Sequence, residues 1–551
     1  MGGQQAADVL SVQEVGTNEF QGRDAARLGE LGYEQELKRG FSTLESFAIS
    51  FSIISICTGL TTGFELGMTN GGSGVMSCGW IFVSFMTMFV ALSMAEVVSA
   101  VPTSGGPYHW AALLSRPQHS AFISYLTGWY NCLGQVSVTT GISFGNAGLI
   151  AAIASQYGFV ATPARLVGIT AGLLVFGGII NSLGITVLAW VNRFSVALHS
   201  CGVFAICVAL LVKAPTHRTA AEVFASFSDA TNATPSDVTW SVRASPVYVA
   251  LTGILLSQFT ITGFDASAHM AEETKDAGRA APKGVIMSVG VSFVFGAFYL
   301  FSLLFCIQDF EQTRASPTGQ PVIQIMSDVF GRDGGTAAMA VIVACVTLCG
   351  TCSLSSNSRM MYAFSRDSGL PKFFDHVDKR TQSPLRTVWL AVVLAFCLTL
   401  PALGSSVAYA AVTSIATIGL YISYGIPILV GVAIDQERFQ MCRGPFSLGK
   451  FSRPVAIIAS AYVMFITVVF CLPEVNPVNV QTLNYAPVAV GIVLAYVIIS
   501  WFGWARHWFT GPRQAALGKI EGAARFERSP EDKADEKADE KDVLGEAVPS
   551  L

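Results

Sequence analysis

Three short stretches hold the residues whose chemistry stands apart from an otherwise apolar chain. In TITGFD (260–265), Thr260 and Thr262 lead to Gly263, and a carboxylate, Asp265, follows directly after the apolar run Ile254, Leu255, Leu256, Phe259 and Ile261. A carboxylate at bilayer depth costs at least a few kcal/mol, which marks it as a functional candidate; the plainer reading is a glycine kink with an aspartate at the interface. In FSIISICTGLTTGFELGMTN (51–70), an apolar half-helix meets Thr58, Gly59, Thr61, Thr62 and Gly63 and resumes with Glu65. In VNRFSVALHSCGVF (191–204), His199 lies inside an apolar run. This chemistry is non-covalent: free backbone groups bind charge, and titratable side chains take up and release protons.

The elements that must position these groups are membrane helices. Of 551 residues, 52% are hydrophobic and 13% charged, against roughly 25% charged in a soluble domain. The apolar residues fall in blocks near the ~20 residues that cross a bilayer. Twelve spans are expected, at about 44–66, 75–99, 120–155, 163–183, 186–212, 246–272, 283–307, 334–365, 385–403, 406–433, 454–473 and 485–509. The predicted fold class is therefore an all-α polytopic membrane protein.

Lysine and arginine set its orientation. With the N-terminus inside, the inner segments carry Lys38, Arg39, Arg116, Arg193, Lys275, Arg279, Lys283, Arg359, Arg366, Lys372, Lys379, Arg380, Arg386, Arg438, Arg443, Lys450, Arg453, Arg506, Arg513 and Lys519. The outer segments carry Arg165, Lys213, Arg218, Arg243, Arg314 and Arg332. Both termini come out cytoplasmic; the plasma membrane is the expected location, with the vacuolar or another endomembrane as the alternative. Residues 1–40 read as a cytoplasmic tail without the apolar core of a signal peptide. The outer loop 213–245 contains the sequon Asn232-Ala233-Thr234, a glycosylation candidate followed by Pro235. Residues 510–551, with PEDKADEKADEKD, read as a disordered charged tail. The twelve cysteines sit mostly inside the spans, and the pair Cys349 and Cys352 reads as small packing residues.

The first and sixth spans share one design: each is interrupted by glycine and threonine, with a carboxylate just beyond. Matching interruptions in two halves point to an inverted-repeat transporter with a midplane site. A broken helix frees N–H groups at one new end and carbonyls at the other. The first favours an anion and the second a cation, so a zwitterion satisfies both. The competing reading is that glycine merely serves helix packing.

Together with MAEVVSAVPTSGGPYHWAALLS (94–115), GFDASAHMAEETKDAGRAAPKGV (263–285), SNSRMMYAFSRDSGLP (356–371) and TIGLYISYGIPI (417–428), these stretches resemble the amino acid–polyamine–organocation superfamily. Within it they are most similar to the eukaryotic amino acid/choline transporters: fungal GABA and choline permeases and plant bidirectional amino acid transporters. The likeness covers about 33–509. It implies a leucine-transporter-like fold of two inverted five-helix repeats (41–212 and 246–433), broken helices 1 and 6, and two further helices at 434–509. It also implies a substrate carboxylate on the backbone of Thr58, Gly59, Leu60 and Thr61, and an amine on Ile261, Thr262 and Gly263. Phe259 falls at an aromatic gate, and Asp265 where some bacterial relatives have a glutamate linked to proton sensing. His199 falls where several sodium-independent relatives have a lysine. It is either a titratable donor in that role or a packing histidine bonded to a backbone carbonyl, and the former makes sodium dependence unexpected. His269 and Glu273 are expected to form an i,i+4 salt link, and Glu96 to be structural or gating.

The expected function is secondary transport of amino acids or GABA by alternating access, proton-coupled or exchanging. The expected partners are a small-molecule substrate, protons and the lipid bilayer. A choline or polyamine permease is the alternative, since Phe64, Phe259, Phe264 and Tyr421 could cage a quaternary ammonium. A nutrient receptor that binds without transporting is a third reading. No nucleotide loop, metal-ligand cluster or nucleophile–base pair is legible, so neither an enzyme, a cofactor, a metal nor a nucleic-acid partner is expected.

Overall fold

The computed structural model describes residues 28–29, 31–231, 245–404, 408–480 and 482–512. Asn232 and the charged segment from 513 onward lie outside the described residues. Eleven helices among them are long and apolar enough to cross a membrane: Thr43–Thr62, Gly72–Ala100, Pro117–Ser155, Pro163–Ser182, Ile185–Lys213, Ala277–Phe305, Pro321–Arg366, Leu385–Leu403, Ala411–Ile434, Gly449–Val469 and Ala486–Gly503. At the sixth expected position stands the shorter apolar helix Pro246–Thr260, cut short by a backbone break.

Local sequence explains the boundaries. Pro117, Pro163, Pro246, Pro321 and Pro487 stand in the first turn of their helices, where a missing N–H has no intrahelical partner to lose. Ser42 and Glu45 form a capping box that starts the first span. The long helix from Pro321 bends at Gly331, whose φ of 75° lies outside helical space.

Large apolar side chains point outward from the bundle: Trp190 is 66% exposed, Phe85 61% and Val212 75%. Such a surface suits lipid, not water. Inside, glycine lets the helices close up. Trp80 packs against Gly296, where an added Cβ would fall 2.1 Å from its ring, and its indole N–H donates to the Phe293 carbonyl at 3.0 Å.

The two ends of the bundle differ. At one end, strand β1 (Asn70–Gly71) pairs antiparallel with strand β2 (Ser228–Asp229). At the other, the N-terminal segment binds the end of the sixth span. The Gly40 and Phe41 N–H groups donate to the Glu273 carbonyl, and the Lys275 N–H donates to the Phe41 carbonyl.

Candidate functional site

The first span breaks at Ser55, which adopts left-handed φ and ψ of 34° and 76° between helices Thr43–Ile54 and Ile56–Thr62. This corrects the expected position of the break. Thr58, Gly59, Leu60 and Thr61 are helical, and Gly63 marks only a minor bend whose N–H still bonds the Gly59 carbonyl at 3.0 Å. Serine tolerates the break because its hydroxyl finds local partners, Thr58 Oγ1 at 2.6 Å and His199 Nε2 at 2.8 Å. The N–H groups of Ile56 and Cys57 open the second half-helix and carry no backbone hydrogen bond among the described residues.

In the sixth span, the break falls where the sequence placed it. Helix Leu255–Thr260 ends at Ile261, Gly263 has φ of 93°, and helix Ala266–His269 follows. The carbonyls of Ile261 and Thr262 accept no backbone hydrogen bond among the described residues. The two spans touch at their glycines. A Cβ on Gly59 would lie 2.6 Å from Thr260 Cα, and one on Gly263 would lie 2.6 Å from Ile53 Cγ2. Ser50 Oγ donates to the Phe264 carbonyl at 3.0 Å, tying the same two spans below the breaks.

Asp265 is fully buried. Its Oδ2 accepts from Gln135 Nε2 at 2.8 Å and lies 3.1 Å from His269 Nε2. His269 Nδ1 faces the Ser104 carbonyl at 3.0 Å, and a carbonyl can only accept. Nδ1 therefore carries a hydrogen, and the contact between Nε2 and Oδ2 needs one more proton, on either the acid or the ring. The two side chains are placed to share a proton. The expected link between His269 and Glu273 is absent, because Arg359 of the eighth span donates to Glu273 at 2.8 Å and His269 turns back to Asp265. His269 as partner of Asp265 was legible only as an alternative i−4 spacing.

His199 sits apart from this pair. A π-helical turn at Leu198–Gly202 presents it, with Nδ1 donating to the Ser195 carbonyl at 2.8 Å. The carbonyl bond of the packing reading is present, and so is a second nitrogen directed at the Ser55 break.

A cavity of about 310 Å³ opens beside the breaks, toward the β1–β2 end. Its lining includes Thr62, Gly63, Glu65, Phe259 and Glu474. Phe259 is half-buried there, whereas Phe64, Phe264 and Tyr421 are fully buried. Tyr421 packs on Phe264 and receives a hydrogen bond from Gln258, so these rings form a filled cluster and not an open cage.

Burial pushes the Glu474 carboxyl from 4.5 up to about 7. A carboxyl raised by folding opposes its own ionisation, so its cost to stability is absent below pH 4.5 and grows until pH 7. Glu474→Gln is expected to melt with the wild type near pH 5 and above it near pH 8, a crossover that melting curves at about those two values check.

The opposite end is closed. Glu272 accepts from both terminal nitrogens of Arg366, at 2.9 and 2.8 Å, and from the Ser104 N–H at 3.0 Å. Asp367 accepts from the Tyr33 and Tyr108 hydroxyls, each at 2.8 Å. Glu96 accepts from Ser447 and the Leu448 N–H, tying the second span to a loop. The two paired breaks thus lie between a cavity on one side, with Phe259 in its lining, and a sealed end on the other.

A family model described as amino acid permease matches residues 41–495. The chain is 39% identical over 503 residues to amino-acid permease BAT1 of Arabidopsis thaliana, covering 88% of this chain and 95% of that protein. It is 40% identical over 503 residues to the rice homologue of BAT1 (Oryza sativa subsp. japonica), with the same coverage. To the GABA-specific permease of Saccharomyces cerevisiae it is 30% identical over 488 residues, covering 86% of this chain and 84% of that one.

Proposed function

We propose that this chain, which belongs to the amino acid permease family and is a multi-pass membrane transporter, carries small molecules bearing both an amine and a carboxylate, amino acids or GABA. The observation that carries this reading is the juxtaposition of two oppositely polar helix breaks. The free N–H groups of Ile56 and Cys57, flanked by Thr58, Gly59, Leu60 and Thr61, receive the carboxylate. The free carbonyls at Ile261 and Thr262, with Gly263, receive the amine. Phe259 closes the site from the cavity side. The paired breaks support a leucine-transporter-like inverted repeat with the boundaries given above. Transport then alternates between opening the Phe259 side and releasing the Glu272–Arg366 seal.

The placement of Asp265 against His269 supports proton coupling. The excess of Lys and Arg on the inner segments supports cytoplasmic termini; the proposed location is the plasma membrane, with the vacuolar or another endomembrane as the alternative. Tags inserted at residues 372–386 are expected to be protected in intact cells; labelling them from outside would overturn this orientation. A choline or polyamine cargo is the second reading, favoured by Glu65 and Glu474 at the cavity. The test between them is competition: unlabelled amino acids, but not choline or a polyamine, should suppress uptake of a labelled amino acid into vesicles containing the purified chain.

A further inference from the structure

We infer that Cys57, His199 and Cys345 form a binding site for a soft divalent cation such as Zn2+, set at the hinge of the first span. The three residues come from the first, fifth and eighth spans, far apart in sequence, yet their ligand atoms all lie within 4.8 Å of one another. All three are buried. One imidazole nitrogen and two thiols make a Cys2His donor set, which zinc takes with a fourth position for an oxygen or nitrogen ligand. Metal–sulfur and metal–nitrogen bonds of about 2.3 and 2.0–2.1 Å place such ligands roughly 3.5–4 Å apart. The side chains therefore need only a small contraction.

The histidine is already oriented for this role. Its Nδ1 is fixed on the Ser195 carbonyl at 2.8 Å, which leaves the Nε2 lone pair for a metal, the usual outer bond of a ligating histidine. The π-helical turn that presents it is a local departure from α geometry, a feature frequent at functional sites. The Ser55 hydroxyl lies 2.8 Å from Nε2 and 3.6 Å from Cys57 Sγ, so it is placed to supply the fourth ligand. Electrostatics also fit. Binding releases one proton from each thiol to solvent, and two thiolates cancel the dication, leaving no net charge in the apolar interior.

Cys57 stands two residues after the left-handed Ser55, on the half-helix that moves if the break flexes. A cation joining it to His199 and Cys345 would fasten that half-helix to the fifth and eighth spans and arrest the transport cycle. Because the three ligands are buried, the cation enters when the hinge opens. This inference does not depend on what the transporter carries.

The test uses the full purified chain in detergent, stripped of metal and titrated with Cd2+. Binding is followed by the cadmium–thiolate charge-transfer band and by elemental analysis. The wild type should show a tight equivalent that weakens at least about ten-fold when one ligand is lost, in Cys345→Ser and again in Cys57→Ser. In vesicles, Cd2+ should inhibit wild-type uptake, and Cys345→Ser should transport normally and resist. Equal cadmium binding by wild type and a Cys57→Ser/Cys345→Ser double variant would overturn the site, assigning the signal to other cysteines. Inhibition unchanged in Cys345→Ser would overturn its control of the hinge. If Cys345→Ser is not monodisperse, Cys345→Ala supplies the same readouts.

Discussion

Gly59→Ala is expected to abolish uptake, by far more than ten-fold, while the protein still reaches the membrane. The reason is the close passage of the two broken spans. A Cβ at residue 59 would meet Thr260 Oγ1 at 2.4 Å and Thr260 Cα at 2.6 Å. The second of these atoms is backbone and cannot rotate away, so the spans must separate. Overpacking of this kind costs about 1–3 kcal/mol, which a bundle of this size survives. Forcing the spans apart at this contact, however, displaces the two breaks from each other. Gly263→Ala should do the same by a second route, since its φ of 93° is strained for any side chain and its Cβ would press Ile53 at 2.6 Å. Gly168→Ala is the control: nothing lies within 4 Å of its added methyl. Initial uptake rates, normalised to protein at the membrane, decide the matter. Wild-type rates in Gly59→Ala would show that the contact is not part of the site.

The second large effect concerns energy coupling. Asp265→Asn should keep exchange of internal for external substrate but lose accumulation driven by a pH gradient. With one proton per substrate, each pH unit is worth about 1.36 kcal/mol, or ten-fold accumulation; the variant should show none. His269 Nδ1 is occupied by its bond to Ser104, so the contact between Nε2 and Asp265 Oδ2 requires a proton that either partner can hold. Asparagine cannot release one. His269→Gln should lose coupling too, with an added stability cost of about 1–3 kcal/mol from an underpaired buried carboxylate. His199→Ala is not expected to uncouple transport, because His199 contacts Ser55 and Ser195 and not Asp265. Accumulation surviving in both Asp265→Asn and His269→Gln, or dependence of wild-type uptake on sodium, would refute proton coupling at this pair.

The spans were legible in the sequence because their signal is compositional: long apolar blocks, with proline at many starts. The break in the sixth span was legible because Gly263 at positive φ leaves a local mark. The break in the first was displaced by three residues. There glycine and threonine drew attention to Thr58–Gly63, whereas the chain turns at Ser55, a residue stabilised by His199 from another span. Gly59 was read as backbone that holds the substrate carboxylate. It is small so that two helices can touch, a fact that only the partner Thr260 reveals. The pairings of His269 with Asp265, of Glu273 with Arg359 and of Cys57 with Cys345 likewise depend on contacts between distant spans. Periodicity along one helix cannot distinguish an i−4 from an i+4 partner when a third helix decides.

The central claim is that the paired breaks bind an amine and a carboxylate at once. The most direct measurement is uptake of a labelled amino acid by purified protein in vesicles, competed in parallel by three compounds: the unlabelled amino acid, its amide lacking the carboxylate, and choline. The account predicts that only the first competes fully, because each of the others leaves the N–H groups of Ile56 and Cys57 without an anion. Full competition by choline or the amide, with little by the amino acid, would contradict it.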